Sequence, residues 1–564
     1  MKNISIYLCI VFILTATNMS AQRSIGDMYA DSVQVIRTTA NASWKDKEHP
    51  TPAELEKSIN LLLGAITYLD QPEVKTQALG NSYLFYRRSD VYQSLTNLYT
   101  LAKQYDKAIA AFSKAYETAK WDRSGIEKDS LYKDLIGLPE CITLLERYKA
   151  RTKLWNNGSF KTPFNPAISE DEKIAGLSLL WAQAKYNFVF IDKLTTDWNK
   201  IYLDYIPLVK ATKDTKEYYR VLMQFYAQLQ DGHTNVFPPD ELAKDFYSRP
   251  PVRTELIEGR VFITNVSSPA LEKTGIVPGL EILKIDGVPV LTYAGKNVRP
   301  YLSSSTDQDM IVREFSYNLL RGEASNPVTL ELKDRNGKTR AVRVNRSGYT
   351  DVKKLPSISF TTIGNTGYLV LNSFSDDSLT AKYDSLFPEI AKTKNLVIDI
   401  RYNGGGEGSY GYHILRTLTD KAFKTSLAKT TVYEGYPVPG TKWIEQPQGS
   451  ITPDRKRFYD KPIVLLIGPR TFSAAEDFAI VFEDIKRGQL VGESTGGSTG
   501  QPLHFDLPGG GSARVCMKKD LSPNGKEFVG IGIMPDINVP LTIKAIYEGK
   551  DEVLLKALSL LNKN

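Results

Sequence analysis

Two short apolar runs, each followed by a turn-forming loop and then a helix-compatible stretch, constrain this chain more than any other feature of it. Ile463-Val464-Leu465-Leu466-Ile467 is apolar and rich in β-branched residues, as a strand must be when both of its faces are covered. Gly468-Pro469 breaks that run, and the residues from Ala474 to Phe482 suit a helix, so Ser473 falls near the helix N-terminus. Unpaired N–H groups and the positive end of the helix dipole gather there, an environment that stabilises an oxyanion. A serine at that position is also a common N-cap with no chemistry. The second run, Asn395-Leu396-Val397-Ile398-Asp399-Ile400, leads into Arg401-Tyr402-Asn403-Gly404-Gly405-Gly406, with a helix expected from about Tyr410. Three consecutive glycines let the backbone take positive φ and turn N–H groups toward a ligand, although a plain strand-to-helix turn needs no such role. One glycine-rich loop and one serine-bearing loop of the same design point together to a nucleophile facing an oxyanion hole.

The blocks DIRYNGGG at 399–406, GPRTFSAAE at 468–476, LVGESTGG at 490–497 and GIGIMPDI at 530–537 resemble, in order and spacing, the tail-specific or C-terminal processing serine peptidases. The similarity is strongest from about Ser357 to Val539 and extends more weakly back to Asp231. It implies a multidomain α+β protein with a crotonase-like α/β core and a PDZ-like domain. It also implies endopeptidase cleavage near polypeptide C-termini, with no metal or organic cofactor. Carried over, Ser473 is the nucleophile. The N–H groups of Ala474 and of a glycine within Asn403–Gly406, foremost Gly405, form the oxyanion hole.

The best-known branch of that family uses a lysine base about 25 residues after the serine, where this chain has Ser498. Something else must take the serine proton, because an unactivated hydroxyl is a poor nucleophile near neutral pH. Of four histidines, His233 stands out in Leu229-Gln230-Asp231-Gly232-His233-Thr234. Leu222, Phe225, Tyr226 and Leu229 recur before it at helical spacing, and Gly232 can supply a left-handed cap. The Asp-Gly-His-Thr block resembles the tricorn-like and interphotoreceptor retinoid-binding branch, which implies His233 as general base. A capping or surface imidazole is the plainer alternative. His413 is expected to pack on its helix, His504 to sit on a strand lining the cleft, and His49 to be uninvolved. The group orienting His233 is left open: the tricorn-like members have a serine where Gly232 stands and a glutamate where Val529 stands. Glu527 is two residues from that place, and Glu476, one helical turn beyond Ser473, is a possible support for its loop. Lys518 or Lys519 is a rival base, and a non-catalytic ligand- or peptide-binding protein on the same scaffold is a rival function.

A chain of 564 residues is too long for one ordinary core. Residues 1–21 read as a signal peptide, with Lys2 before an apolar stretch from Ile4 to Leu14 too short to span a bilayer, so an exported protein, periplasmic or extracellular and without a stable membrane anchor, is expected. Residues 22–161 read as helical, with a tetratricopeptide-like pair over Leu95–Tyr116, residues 162–246 as a helical part of the peptidase region, 247–350 as PDZ-like and 351–564 as the peptidase core. A PDZ edge strand could hold a polypeptide substrate by its tail, or the domain could be a rigid spacer. The net charge of +7 is spread widely, and its densest run, Asp454-Arg455-Lys456-Arg457, contains an acid, which argues against nucleic acid as a partner. Cys141 and Cys516 are expected to remain free thiols.

Overall fold

The computed structural model describes residues 25–42, 44, 50–80, 82–118, 123–155, 158–346, 355–432, 442–446 and 448–562. The expected signal peptide at 1–21 lies outside the described residues. The chain forms two compact units, one made of Met1–Asn157 with Ile444–Pro447 and the other of Gly158–Trp443 with Gln448–Asn564.

The first unit is helical. Its helices include Ile25–Ala42, Pro52–Leu69, Ser82–Leu101, Tyr105–Thr118 and Pro139–Trp155. Thr51 and Glu54 start the second of these with a reciprocal capping box. The helices Ser82–Leu101 and Tyr105–Thr118 pack on each other, and Leu95, Leu98, Ala108, Ala111 and Phe112 join one buried core.

The second unit is built on a six-stranded sheet in the order Ile537–Asn538, Gln489–Gly492, Ile463–Ile467, Asn395–Asp399, Thr366–Leu371, Ile358–Ile363. All neighbours are parallel except the last pair. Side chains alternate between two buried faces, as the twofold strand period requires. Leu396, Ile398, Ile463, Leu465 and Ile467 point into the large core that contains the helices Gly408–Leu415 and Ala474–Asp484. Val397, Val464, Leu466 and Val491 point to the other side, against Val553, Ala557 and Leu561 of the C-terminal helix Glu552–Leu561.

The helices Glu170–Asn187, Trp198–Lys210 and Thr215–Ala227 contribute Leu177, Leu180, Trp198, Tyr218, Leu222 and Phe225 to that same large core. Helical residues within 158–246 are therefore packed into the same core as that sheet and do not form a separate one. A second, wholly antiparallel sheet runs in the order Val252–Ile257, Arg260–Val266, Glu281–Ile285, Val328–Lys333 and Thr339–Val344, with Val288–Pro289 as a sixth strand paired to Glu281–Ile285, and has its own core around Val261, Ile263, Ile282, Phe315 and Leu330. A three-stranded antiparallel sheet pairs Asn235–Phe237 with Ser512–Cys516 and that strand with Pro502–Asp506. It ties the chain just after His233 to the C-terminal part of the unit.

Candidate active site

The strands Asn395–Asp399 and Ile463–Ile467 are parallel neighbours, with Leu396 opposite Ile463, so their outgoing loops lie side by side at one edge of the sheet. That edge, at the carboxyl ends of parallel strands, is where open α/β sheets bind ligands. The loops are stitched together: Thr471 Oγ1 donates to Ile400 O at 2.9 Å, and Phe472 N–H donates to Asn403 O at 3.0 Å. Ser473 follows with φ 57° and ψ −129°, a conformation disfavoured for a residue with a Cβ, and the helix begins at Ala474.

Gly405 faces this turn with φ +94°; a Cβ there would lie 2.7 Å from Ser473 Cβ and 2.9 Å from Ala474 N. Only glycine fits. Among the described residues the Ala474 N–H has no acceptor. The Gly405 N–H, by contrast, donates to Asn403 Oδ1 at 2.9 Å, so it must exchange that partner before it can serve an oxyanion. Asn403 is fully buried, and its Nδ2 has no acceptor among the described residues.

His233 arrives from the other side. The helix Thr215–Ala227 ends, Gln230 takes the left-handed turn at φ 49°, and the chain enters a tightly bonded corner. Asp231 Oδ1 accepts from His233 N–H at 3.0 Å and from Thr234 Oγ1 at 2.7 Å. The residues before the histidine are gripped by a segment of the antiparallel-sheet region. Ser303 Oγ accepts from Asp231 N–H at 2.9 Å, Ser305 Oγ accepts from Gly232 N–H at 3.0 Å, and Arg313 Nη2 donates to Gly232 O at 3.1 Å. The imidazole stacks on Phe472 with centroids 4.9 Å apart and planes 15° apart, and the Arg313 guanidinium sits 5.2 Å from the centre of the same Phe472 ring. Gly232 does not carry the left-handed cap expected of it; its backbone is ordinary and Gln230 bears the positive φ instead.

The ring nitrogens bridge two serines. His233 Nε2 lies 3.1 Å from Ser473 Oγ, and Nδ1 lies 2.9 Å from Ser498 Oγ. Burial pushes the His233 pKa well below its ordinary value, and the nearby positive charges of Arg514, Arg313 and Lys518 push it further down. The imidazole is therefore neutral near pH 7 and can accept a proton at Nε2.

Glu476 is fully buried one turn into the helix. Its Oε1 accepts from Gly497 N–H at 2.7 Å and from the Thr495 hydroxyl; its Oε2 accepts from Ser498 N–H at 2.9 Å and from Ser473 N–H at 3.3 Å. One carboxylate thus fixes both serines that the imidazole touches. Burial pushes its pKa up to about 8, against the opposing pull of the hydrogen bonds from Thr495, Ser498 and Gly497.

Glu527 does not join this cluster. It is drawn away by an ion pair with Lys519, and half of its side chain is exposed. Lys518 Nζ pairs with Asp520 at 3.0 Å; burial lowers its pKa, but Asp520 and Asp477 more than offset this and hold it above the ordinary value, so Lys518 stays charged near neutral pH. His413 bonds Asp384 at 2.7 Å, and His504 lies on the strand Pro502–Asp506. The residue missed by sequence reasoning is Ser498, which stood out only as the place where a lysine was absent. Among the described residues no group of three or more His, Cys, Asp or Glu side chains could hold a metal ion.

Residues 365–539 match the family model Peptidase family S41. The chloroplastic C-terminal processing peptidase of Tetradesmus obliquus is 27% identical over 313 residues, covering 52% of this chain and 60% of that protein. The carboxyl-terminal-processing protease of Picosynechococcus sp. is 27% identical over 347 residues, covering 59% of this chain and 75% of that one. The chain spans about three fifths of the Tetradesmus obliquus protein and of the Bartonella bacilliformis carboxy-terminal-processing protease, 60% and 58%. Among solved structures, mature CPAF complexed with lactacystin superposes with a TM-score of 0.55 at 19% identity, covering 70% of this chain and 99% of that one; the likeness is one of fold. Over residues 365–539 the chain is therefore similar to Peptidase family S41.

Proposed function

We propose that this protein is an exported serine endopeptidase that cleaves polypeptides near their C-termini, with Ser473 as nucleophile and His233 as general base. The observation that carries this reading is the 3.1 Å approach of His233 Nε2 to Ser473 Oγ, two residues 240 positions apart in the chain. Such a separation between nucleophile and base is what proton transfer needs. His233 takes the Ser473 proton as Oγ attacks the scissile carbonyl. The Ala474 N–H, joined by Gly405 N–H once it leaves Asn403 Oδ1, stabilises the tetrahedral oxyanion. The imidazolium then donates its proton to the leaving amine, and water repeats the sequence on the acyl-enzyme.

The C-terminal processing activity named for the relatives supports the choice of polypeptide tails as substrate. The antiparallel sheet that begins at Val252–Ile257 would act as a PDZ-like domain that receives the tail along an edge strand, and the helical region 22–161 as a tetratricopeptide-like packing module. Export rests on the leader at 1–21; among the described residues no helix is long and apolar enough to cross a membrane.

The test is hydrolysis of an unfolded polypeptide together with covalent labelling by a fluorophosphonate. Wild type should cleave and label, and Ser473→Ala should lose both, with turnover down about 10⁴-fold or more. Labelling or turnover that survives in Ser473→Ala removes Ser473 from the chemistry, and a wild type that does neither favours a binding protein.

A further inference from the structure

We propose that Ser498 is a positioning residue for the base: its hydroxyl accepts the Nδ1–H of His233 and so fixes the tautomer that leaves Nε2 free for Ser473. This role rests on the serine-peptidase reading and deepens it. Ser498 is fully buried, and its Oγ lies 2.9 Å from His233 Nδ1. For Nε2 to accept the Ser473 proton, the single ring proton of neutral imidazole must sit on Nδ1 and needs an acceptor there. Ser498 Oγ is the only acceptor within hydrogen-bond distance of Nδ1 among the described residues.

Two further contacts hold that residue in place. Ser498 N–H donates to Glu476 Oε2 at 2.9 Å, and Ser498 O accepts from Ser473 N–H at 3.1 Å, so the same residue is bonded to nucleophile, carboxylate and base. Gly232 supplies the space. A Cβ at 232 would stand 2.7 Å from Ser498 Oγ and 2.9 Å from the Phe472 ring, while its φ is one that any residue can adopt. Glycine is required at 232 for room and not for conformation. Glu476, Ser498 and Gly232 thus form one device: an anchor, a hydroxyl and the gap it occupies.

A hydroxyl in this role differs from a carboxylate in one measurable respect. It fixes the tautomer but brings no negative charge to offset the imidazolium formed during attack. The experiment compares wild type, Ser498→Ala and Gly232→Ala for phosphonate labelling rate, for kcat and KM on an unfolded polypeptide across pH, and for the His233 tautomer by nitrogen-15 NMR of histidine-labelled protein. Ser498→Ala should lower kcat and the labelling rate about 10- to 100-fold with KM little changed, as expected for a buried donor left without its acceptor. The His233 ring signal should move from the Nδ1–H form to a mixture, and Gly232→Ala should give the same signature. A merely structural serine would alter melting temperature and leave the tautomer alone. Wild-type labelling rate and an unchanged tautomer in Ser498→Ala overturn the role of Ser498 while leaving Ser473 and His233 in place. A wild type that fails to label sinks the peptidase reading itself.

Discussion

Replacing Glu476 by glutamine sets two opposing energies against each other, and their balance depends on pH. The carboxyl is fully buried, and its pKa is pushed up from 4.5 to about 8. It therefore holds its proton more tightly folded than unfolded, and its contribution to stability falls as pH rises from 4.5 to about 8. At about 1.4 kcal/mol per pKa unit, the whole window amounts to about 5 kcal/mol. Of the four donors around this carboxyl three are backbone N–H groups, so the Thr495 hydroxyl, which also accepts the Ile533 N–H at 2.7 Å, is the one that can turn to make room for a carboxyl proton. Glutamine removes the ionisation but presents an NH₂ group where Gly497 N–H now donates at 2.7 Å. Leaving that buried amide unpaired costs about 1–3 kcal/mol at every pH. Glu476→Gln should thus be less stable than wild type near pH 4.5 and more stable above pH 7, with the two curves crossing between about pH 5 and 7. Urea unfolding of both proteins at intervals from pH 4.5 to 9 measures the difference directly. A gap of constant sign and size across that range would show that Glu476 does not titrate as its burial demands.

Three other outcomes follow from the site's geometry and electrostatics. Gly405→Ala meets both a φ of +94° and contacts under 3 Å to Ser473 and Ala474; it should lower kcat about 100-fold or more and destabilise by about 1–3 kcal/mol, checked by steady-state kinetics and thermal unfolding. Because His233 must be neutral to act and its pKa lies well below 6.5, the acidic limb of kcat/KM should fall below pH 6.5, and Arg514→Met, which removes a neighbouring positive charge, should move that limb upward. The same depression means that the fold loses stability as pH drops below 6.5, where the unfolded histidine gains a proton first.

The sequence showed the parts of the site whose cause is local and hid those whose cause is distant. Both buried strands were legible, because continuous apolar runs closed by Gly-Pro or Gly-Gly-Gly follow from burial on two faces and from backbone freedom, and the strands are Asn395–Asp399 and Ile463–Ile467. The helix leading to His233 was legible from the spacing of Leu222, Phe225 and Tyr226. Gly232 was misread because a glycine after a helix ordinarily supplies positive φ, whereas here it answers to a side chain 266 residues further on. Ser498 was overlooked for the same reason: nothing in Gly496-Gly497-Ser498-Thr499-Gly500 indicates that an imidazole 265 residues earlier will meet its hydroxyl. Proximity in sequence made Glu527 a plausible partner, yet the adjacent Lys519 claims its charge.

Ser303, Ser305 and Arg313 lie between the strands Glu281–Ile285 and Val328–Lys333 of the antiparallel sheet, yet their polar atoms seat the corner that carries His233. Nucleophile and base consequently have different custodians. Ser473 is fixed by the loop after Ile463–Ile467 together with Glu476 and Ser498, whereas His233 is anchored jointly by its own helix and by the segment that carries Ser303, Ser305 and Arg313. A chain that lost that segment would keep the serine's strand-to-helix elbow but lose three of the polar contacts that seat its proton acceptor.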